Sequence, residues 1–281
     1  MMERRTLPLI LAVTMLCAGC TTSATRPSVT TPPGTPALES RPAVSTSAAE
    51  STLPTGTEPV NLNPADFTAD ISHRYWPMKP GTRWTYRDVD EKGEVQDVVI
   101  VATTATKKLA NGITARVVRD TVRSEGDLVE DTFDWYAQDS AGNVWYLGEN
   151  TAEFENGKIV TRAGSFEAGA GGALPGILLP AEPQVGQKYR QEYLQGEAED
   201  NGEVLGTNQL VEVPTGRYSD ALLTRDTTSL EPTVVEYKLY APGIGPVLAL
   251  DISGGASREE LVKIDKAAPT DGTGPLGKPN P

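Results

Sequence analysis

The chain has 281 residues, a formal net charge of −13 and no run of lysine and arginine. An acidic surface repels nucleic-acid phosphates, so this composition argues against a nucleic-acid-binding protein. The two cysteines, Cys17 and Cys20, both lie at the start of the chain. The remainder therefore has no disulfide and no thiol chemistry.

Residues 1–20 are predicted to be a lipoprotein signal peptide. Arg4 and Arg5 precede an apolar run from Leu7 to Ala18, which is shorter than the roughly 20 residues that span a bilayer. The run ends in Leu-Cys-Ala-Gly-Cys, which resembles the bacterial lipobox, in which a small residue precedes a lipid-modified cysteine. We therefore expect acylation, including a palmitate-type chain, at Cys20, which would anchor the protein to the outer face of the cell membrane or to the outer membrane.

Two flanking segments are predicted to be disordered. Residues 21–63 are rich in threonine, serine, proline and alanine, with almost no large apolar side chains. Such a segment cannot form a core and suits a tether. Residues 267–281 have a similar composition and are predicted to be a disordered tail. A single domain is expected between them, over residues 64–266.

In chain order, this domain begins with one short helix near Pro64–His73 and continues as strand after strand. About eleven or twelve strands are predicted, at intervals of roughly 8–15 residues, with frequent alternation of apolar and polar side chains. They are expected among thirteen candidate segments, 82–89, 95–106, 113–122, 127–138, 144–149, 152–155, 158–163, 188–194, 203–213, 218–227, 234–241, 245–252 and 258–264.

The turns between these strands favour an antiparallel arrangement. Asn111-Gly112 and Asn156-Gly157 are hairpin signals. We found no long helical period and no motif repeated at fixed spacing. The predicted fold is mostly β, a large curved antiparallel sheet or half-open β-barrel with few or short helices, and a β-sandwich is the alternative.

An aromatic hairpin within 131–149 is the first candidate binding surface. Trp135 and Trp145 are expected on one face, with Tyr136 and Tyr146 on the other. One face must meet the core, and the other is free to meet a ligand or a partner. The alternative is cross-strand pairing that only stabilises the hairpin.

A glycine-rich segment from Gly164 to Pro180 is the second candidate. Pro175 and Pro180 prevent a regular helix after the glycines, which argues against a phosphate-binding loop. We expect a long flexible loop whose apolar end covers one mouth or edge of the sheet. That end contains the candidate ligand-binding residues Leu174, Ile177, Leu178 and Leu179.

Catalytic and metal-binding motifs are missing from the sequence. His73 is the single histidine, and no serine elbow accompanies it. Zinc needs cysteines or several histidines. The acidic run Glu197–Glu203 is interpreted as a solvated turn, with a weak calcium site as the alternative. We therefore expect no catalytic residues, no metal and no cofactor.

Three stretches in series resemble a family of uncharacterised exported bacterial lipoproteins. They are Tyr75–Arg87, with a Trp-x-Tyr pattern, Val211–Thr227, with Val-Pro-x-Gly, and Tyr240–Leu250, with Tyr-Ala-Pro-Gly-x-Gly. The family looks similar to lipoprotein-carrier and LppX-type half-barrels. The resemblance implies a curved sheet around an apolar cavity, with Trp84 in the core and turns at Gly81, Gly216 and Gly243.

Together these patterns predict a non-enzymatic, lipid-anchored envelope protein that binds an apolar ligand or lipid in a curved-sheet cavity. The alternative is a structural lipoprotein whose acidic surface contacts another envelope protein. A carboxylate-based hydrolase is the third hypothesis, because the chain has many candidate carboxylate pairs.

Overall fold

The computed structural model describes residues 53–279. The predicted signal peptide, Cys20, residues 21–52 of the predicted tether and the final two residues lie outside this range. The strands are β1 (Phe67–Thr68), β2 (Thr82–Asp90), β3 (Val95–Lys108), β4 (Thr114–Ser124), β5 (Asp127–Asp139), β6 (Val144–Glu155), β7 (Lys158–Thr161), β8 (Phe166–Glu167), β9 (Leu174–Leu179), β10 (Lys188–Arg190), β11 (Glu192–Tyr193), β12 (Asp200–Val213), β13 (Gly216–Thr228), β14 (Val235–Ala241), β15 (Gly245–Ser253) and β16 (Ser257–Lys266).

These strands form one antiparallel, nearly closed barrel, which confirms the predicted mostly-β fold. The order around the barrel is β10-β12-β13-β14-β15-β16-β2-β3-β4-β5-β6-β9-β11. Most neighbours are consecutive hairpins, as expected from the short turns between them. The junction most distant along the chain is β16 with β2, which runs from Ser257 opposite Asp90 to Lys266 opposite Thr82. This pairing joins the two ends of the domain.

The barrel closes where β10 and β11 meet. These two strands stand at opposite ends of the strand order, yet only Gln191 separates them along the chain. β10 pairs with β12, and β11 pairs with β9. The backbone at Gln191 passes so close to Gly176 of β9 that a Cβ on Gly176 would overlap the Gln191 carbonyl. A glycine is therefore required at this crossing.

The prediction of a flexible loop with an apolar end at residues 174–179 is wrong. Leu174–Leu179 is a strand of the barrel rather than the end of a flexible loop, and its Val144↔Leu179 and Trp145↔Ile177 registers attach it to β6. A strand edge needs backbone partners, and β6 and β11 supply them. Because Pro175 lacks an N–H, the sequence alone did not favour a strand here.

The interior is built from alternating positions of each strand. Trp84 and Tyr86 of β2 both point inward, and both are nearly fully buried. Trp84 Nε1 donates to the carbonyl of Ile244 at 2.8 Å, and the Tyr86 hydroxyl donates to the carbonyl of Pro246 at 3.0 Å. Both rings are buried while their polar atoms keep hydrogen-bond partners. Trp84 is therefore a core residue, as the sequence indicated.

The segment before β2 plugs the interior. Trp76 packs edge-on against Trp84, with ring centroids 6.1 Å apart, and its ring lies against Gly245. Gly245 has φ 122°, and a Cβ there would meet the Trp76 ring at 2.8 Å. Both the conformation and the space favour glycine. The helix predicted near Pro64–His73 is only a short 3₁₀ turn, Pro64–Asp66.

The predicted disordered tail is wrong for residues 267–279. Arg119, on the outer face of β4, donates to the carbonyls of Gly272, Gly274 and Pro275 at 3.3, 2.6 and 3.1 Å. The Gly277 amide donates to Asp131 at 2.6 Å. The tail has few apolar side chains, but its backbone carbonyls satisfy a buried guanidinium, which composition does not reveal.

The start of the described chain also lies against the barrel, so the tether prediction is wrong for residues 53–63. The Arg190 amide donates to the Pro54 carbonyl at 2.7 Å, and the Arg190 side chain donates to the carbonyls of Gly56 and Glu58. Leu53, Val60 and Leu62 pack on the core. Among residues 53–279, no helix is long and apolar enough to cross a membrane.

Candidate functional site

A partly enclosed cavity lies inside the barrel. The centre of a water molecule can occupy about 90 Å³ of it, several times the roughly 10–15 Å³ that one water needs. Its lining comes from the segment before β2 and from strands β2–β6, β9 and β14–β16. The lining residues are Trp76, Asp88, Ile100, Val118, Asp120, Thr132, Asp134, Tyr136, Tyr146, Glu149, Leu178, Glu236, Lys238, Tyr240, Pro246, Ala249, Ser257 and Glu259.

The cavity combines an aromatic floor with acidic walls. Trp76 contacts Tyr136 and Tyr240, with ring centroids 5.9 and 6.4 Å apart, and Tyr136 stacks on Tyr146 at 4.9 Å. The walls carry the six carboxyl groups of Asp88, Asp120, Asp134, Glu149, Glu236 and Glu259, against the single ammonium of Lys238. The cavity is therefore not the purely apolar one that the sequence predicted.

The carboxyl groups face inward because they share the strand phase of core residues. Asp88 follows Tyr86 by two positions on β2, and Asp120 follows Val118 by two positions on β4. Glu259 stands two positions before the fully buried Leu261 on β16. Since side chains alternate between faces along a strand, each of these acidic groups is directed into the barrel.

Tyr146 joins two of the carboxyl groups. Its hydroxyl oxygen lies 2.7 Å from Oδ1 of Asp134 and 2.7 Å from Oε2 of Glu149. A hydroxyl has one proton to donate, so it cannot satisfy two carboxylates at once. Hydrogen bonds of this length at both oxygens require one of the two carboxyl groups to be protonated and to donate to the Tyr146 oxygen.

The electrostatics agree with a protonated pair. Burial raises the pKa of Asp134 to about 7, although the hydrogen bonds from Tyr146 and Tyr136 oppose it. Burial, followed by the nearby charge of Asp134, raises the pKa of Glu149 well above its usual range. Two acidic groups that share one low-dielectric site cannot both ionise without cost.

The remaining acidic groups of the wall behave in the same way. Burial, with Asp134 and Glu259 as neighbours, raises the pKa of Asp120 well above its usual range. Burial raises the pKa of Glu259 to about 8, with Glu236 and Asp88 adding to the effect, and burial raises the pKa of Asp88. Several carboxyl groups of the cavity therefore hold protons near neutral pH.

Three polar atoms of the lining have no hydrogen-bond partner among the described residues. They are Oδ1 of Asp120, Oδ1 of Asp88 and Nε1 of Trp76. The three side chains are only 6%, 3% and 6% exposed. A buried polar atom without a partner is costly, so these atoms mark positions where a bound molecule would supply the missing contacts.

Lys238 is the one cation of the lining. Its Nζ lies 2.6 Å from Oε2 of Glu236 and 3.2 Å from Oδ2 of Asp226. Burial alone would lower the lysine pKa, but the charges of Glu236 and Asp226 more than offset it, so the lysine pKa is raised. Burial raises the pKa of Glu236 to about 7, with Lys238 opposing the rise. The wall thus already holds one ammonium between two carboxyl groups.

Three of the sequence-predicted ligand residues line this cavity: Tyr136, Tyr146 and Leu178. Trp135 and Trp145 do not. The Lys107 ammonium lies 3.1 Å from the Trp135 ring centroid, and Trp145 Nε1 donates to Asp139 at 2.7 Å. The hairpin has a tryptophan face and a tyrosine face, as expected. The tyrosine face lines the cavity.

Leu174, Ile177 and Leu179 are likewise not among the lining residues. Ile177 and Leu179 are fully buried in the core, and Leu174 is half-buried at the start of β9. His73 is buried, and its Nε2 lies 3.0 Å from the Pro180 carbonyl. Burial lowers the pKa of His73, and its contacts give it a packing role.

Within residues 53–279, no group of three or more His, Cys, Asp or Glu side chains is arranged to hold a metal ion. The acidic run Glu197–Glu203 is divided between a turn and a strand. Glu199 accepts from the Gly196 amide, Asp200 is buried at the start of β12, and Glu203 pairs with Arg225.

The sequence reasoning missed the acidic walls. A signal was present, since Asp88, Asp120, Glu236 and Glu259 occupy the same alternating phase as buried apolar residues of their strands. An acidic side chain in a core phase indicates either a pairing partner or a polar cavity. The spatial meeting of strands β2, β4, β14 and β16 decides between these, and no local pattern encodes it.

No family model and no curated protein gives a significant match to the sequence. Among solved structures, the chain is similar to a "putative exported protein with YmcC-like fold" from Bacteroides fragilis, at 14% identity and a TM-score of 0.43, covering 69% of this chain and 100% of that one. A "putative lipoprotein" from Parabacteroides distasonis has 11% identity, a TM-score of 0.37 and coverage of 69% and 99%.

A third similar structure is a β-barrel-like protein of the domain of unknown function DUF1849 from Brucella abortus. It has 14% identity and a TM-score of 0.36, and the match covers 66% of this chain and 98% of that one. Similarities at these TM-scores and identities carry no argument about what this chain does. The motif resemblance to exported lipoproteins and to lipoprotein-carrier half-barrels stays a prediction.

Proposed function

We propose that the protein is a lipid-anchored protein of the bacterial envelope that binds a small, largely apolar ligand inside its barrel. The observation that supports binding is the cavity, with its aromatic floor and its partnerless polar atoms. A few polar groups set in an apolar lining are the usual composition of a small-molecule site. Small barrels fill their interior with side chains, whereas larger barrels enclose ligand cavities.

The binding proposal is tested with a chain that starts at Thr21, because it retains every described residue and cannot be acylated at Cys20. Native mass spectrometry would look for a copurifying molecule, and 1-hexanol would serve as a neutral probe of the cavity. We expect hexanol to raise the melting temperature of this chain. Ala249→Phe, which fills the cavity from β15, should abolish the rise.

Val185→Phe is the matched control, because Val185 is 67% exposed and lies outside the lining. It should respond to hexanol as the parent chain does. Equal responses of the parent chain and the Ala249→Phe variant, together with no copurifying molecule, would contradict binding in the cavity.

The anchor is tested separately with the full chain expressed in a bacterium that is fed an alkyne-labelled fatty acid. We expect label on the protein and recovery in the membrane fraction. Cys20→Ser should lose both. Cys17→Ser is the control and should keep both, because Leu16 is too bulky for the residue before a modified cysteine. Label that persists in Cys20→Ser would refute the assignment.

A carboxylate-based hydrolase is the second candidate, because the Tyr146 hydroxyl brings Asp134 and Glu149 together. It ranks below binding since acid–base hydrolysis of a glycoside needs carboxyl groups on opposite sides of the scissile bond, whereas one hydroxyl holds both groups here. Turnover of nitrophenyl glycosides or esters that is lost in both Asp134→Asn and Glu149→Gln would establish the hydrolase instead.

A further inference from the structure

The lining of the cavity has an excess of carboxyl groups, which the proposed function does not explain. Carboxyl groups from six strands line it, five of them being Asp88 on β2, Asp120 on β4, Asp134 on β5, Glu149 on β6 and Glu259 on β16. β14 contributes Glu236 and the single ammonium, Lys238. We propose that the ligand is an amphiphilic organic cation, an ammonium group on an apolar body, whose charge is held by Asp120, Asp134 and their acidic neighbours.

Two of the three partnerless lining atoms, the carboxyl oxygens, support a ligand that donates hydrogen bonds. Asp120 is 6% exposed and lines the cavity, and its Oδ1 has no partner among residues 53–279. The same holds for Oδ1 of Asp88. Once ionised, these carboxylate oxygens only accept hydrogen bonds, so a molecule that satisfies the ionised groups must donate. An ammonium donates hydrogen bonds and also neutralises the acidic charge.

The aromatic floor supports an ammonium in particular. Trp76, Tyr136, Tyr146 and Tyr240 line the same cavity as the carboxyl groups. Ring faces attract cations, and aromatic cages are a general means of recognising alkylated ammonium groups. Ile100, Val118 and Leu178 provide the apolar surface for the rest of the molecule. A bare metal ion fits less well, since no group of three ligand side chains is arranged for one in the described range.

The wall already contains one example of the proposed interaction. The Lys238 ammonium is held by Glu236 and Asp226 at 2.6 and 3.2 Å. After this pairing, Asp88, Asp120, Asp134, Glu149 and Glu259 remain in the lining with no cationic side chain among the lining residues beside them. Protons can neutralise these groups instead, as the raised pKa values of Asp120, Asp134, Glu149 and Glu259 indicate.

Cation binding and proton binding therefore compete for the same groups. A bound cation favours the ionised carboxylates, so it must release protons into the solvent. The affinity for a cation then rises with pH up to about 8, because Asp134, Glu236 and Glu259, with pKa values raised to about 7, about 7 and about 8, still hold protons at lower pH. A neutral ligand of the same shape shows no such dependence.

The inference rests on the proposed function, and the test distinguishes failure of the inference from failure of the proposed function. The chain that starts at Thr21 is titrated by calorimetry with hexylammonium, 1-hexanol and hexanoate at pH 8 and pH 5, in buffers of different ionisation enthalpy. We expect hexylammonium to bind at least about tenfold more tightly than hexanol at pH 8, to release protons on binding, and to lose that advantage at pH 5. Hexanoate should not bind at pH 8.

Asp120→Asn should weaken hexylammonium binding at pH 8 by about tenfold and leave hexanol binding unchanged. Asp97→Asn is the matched control on the exposed face of β3 and should change neither. Glu259→Gln is a second variant with the same expectation as Asp120→Asn, in case the latter does not fold.

The possible outcomes differ in what they overturn. If hexanol binds as tightly as hexylammonium at pH 8, the inference fails and binding in the cavity stands. If neither binds, both the inference and the proposed function fail. If hexylammonium binds but Asp120→Asn and Glu259→Gln bind it as the parent does, the cation is held elsewhere and the inference fails.

Discussion

Lys238 and Glu236 stand two positions apart on β14, and their Nζ and Oε2 atoms lie 2.6 Å apart inside the barrel. Both side chains line the cavity. Their pairing offsets part of the cost of burying so many carboxyl groups, because an ammonium among acids stabilises their ionised forms. The pair therefore links the stability of the fold to the chemistry of the cavity.

Lys238→Met should destabilise the protein strongly at pH 8, by about 3–5 kcal/mol, because Glu236 and Asp226 lose their partner in a buried place. At pH 5 the loss should be smaller, since Glu236 is then protonated. Urea unfolding at both pH values would measure it. Lys263→Met is the control: its side chain is 61% exposed, and its effect should stay within about 0.5 kcal/mol. Equal losses at pH 5 and pH 8 would contradict the role of Glu236.

The free energy of unfolding should fall as the pH rises from about 5 to about 8. Glu236 and Glu259 have folded-state pKa values of about 7 and about 8, well above the ordinary value of 4.5. Between the ordinary pKa and the raised pKa, the folded protein binds more protons than the unfolded chain. Raising the pH therefore destabilises the folded state relative to the unfolded chain. For each unit by which folding raises the pKa of one such group, the free energy of unfolding falls by about 1.4 kcal/mol once the pH is above the folded-state pKa.

Urea unfolding across this pH range would measure the slope. Glu259→Gln should make the profile shallower, because it removes one titrating group. Asp97→Asn, on the exposed side of β3, should leave the profile unchanged. Stability that rises over this range in the parent chain would show that the cavity carboxyl groups are already ionised.

Arg119→Met should release the C-terminal segment and destabilise the protein by about 3–5 kcal/mol. Arg119 is 1% exposed and forms a bidentate pair with Asp131, which is fully buried. The variant leaves that carboxylate without its partner and leaves the carbonyls of Gly272, Gly274 and Pro275 without their donor. Limited proteolysis should then cut within 267–279 much faster than in the parent chain.

Arg217→Met is the control for that experiment, because Arg217 is an exposed residue at the start of β13. Its proteolysis should match the parent's. Protection of residues 267–279 in Arg119→Met would mean that the segment is held by other contacts, such as Gly277 against Phe154.

Gly176→Ala should open the closure of the barrel and destabilise it by about 3 kcal/mol or more, since the new methyl group has to displace backbone rather than a flexible side chain. Backbone atoms of Arg190 and Gln191 occupy the space. Hydrogen exchange should show faster exchange at the amides of β9, β10 and β11. Gly255→Ala is the control: its Cβ would make only an ordinary contact, at 3.7 Å from Asp251, and exchange should be unaffected. Unchanged exchange in Gly176→Ala would contradict the close crossing.

Much of the sheet was predictable from local pattern. The predicted hairpins between β2 and β6 and between β12 and β16 are present, because alternation and turn residues act between neighbours in the chain. The Tyr136↔Tyr146 pairing is a direct consequence of the Asp139–Gly142 turn. β9 was missed because its partners β6 and β11 are what make it a strand.

The sequence by itself determined the mostly-β class, the strand phases and the turns, since period-2 alternation and glycine conformation are local properties. It also placed Asp88, Asp120 and Glu259 in core phase without revealing what they face. Only the tertiary structure brought these carboxyl groups around one cavity, closed the barrel at Gln191 and attached the C-terminal carbonyls to Arg119. These features depend on contacts between residues far apart in the chain, which alternation along one strand cannot encode.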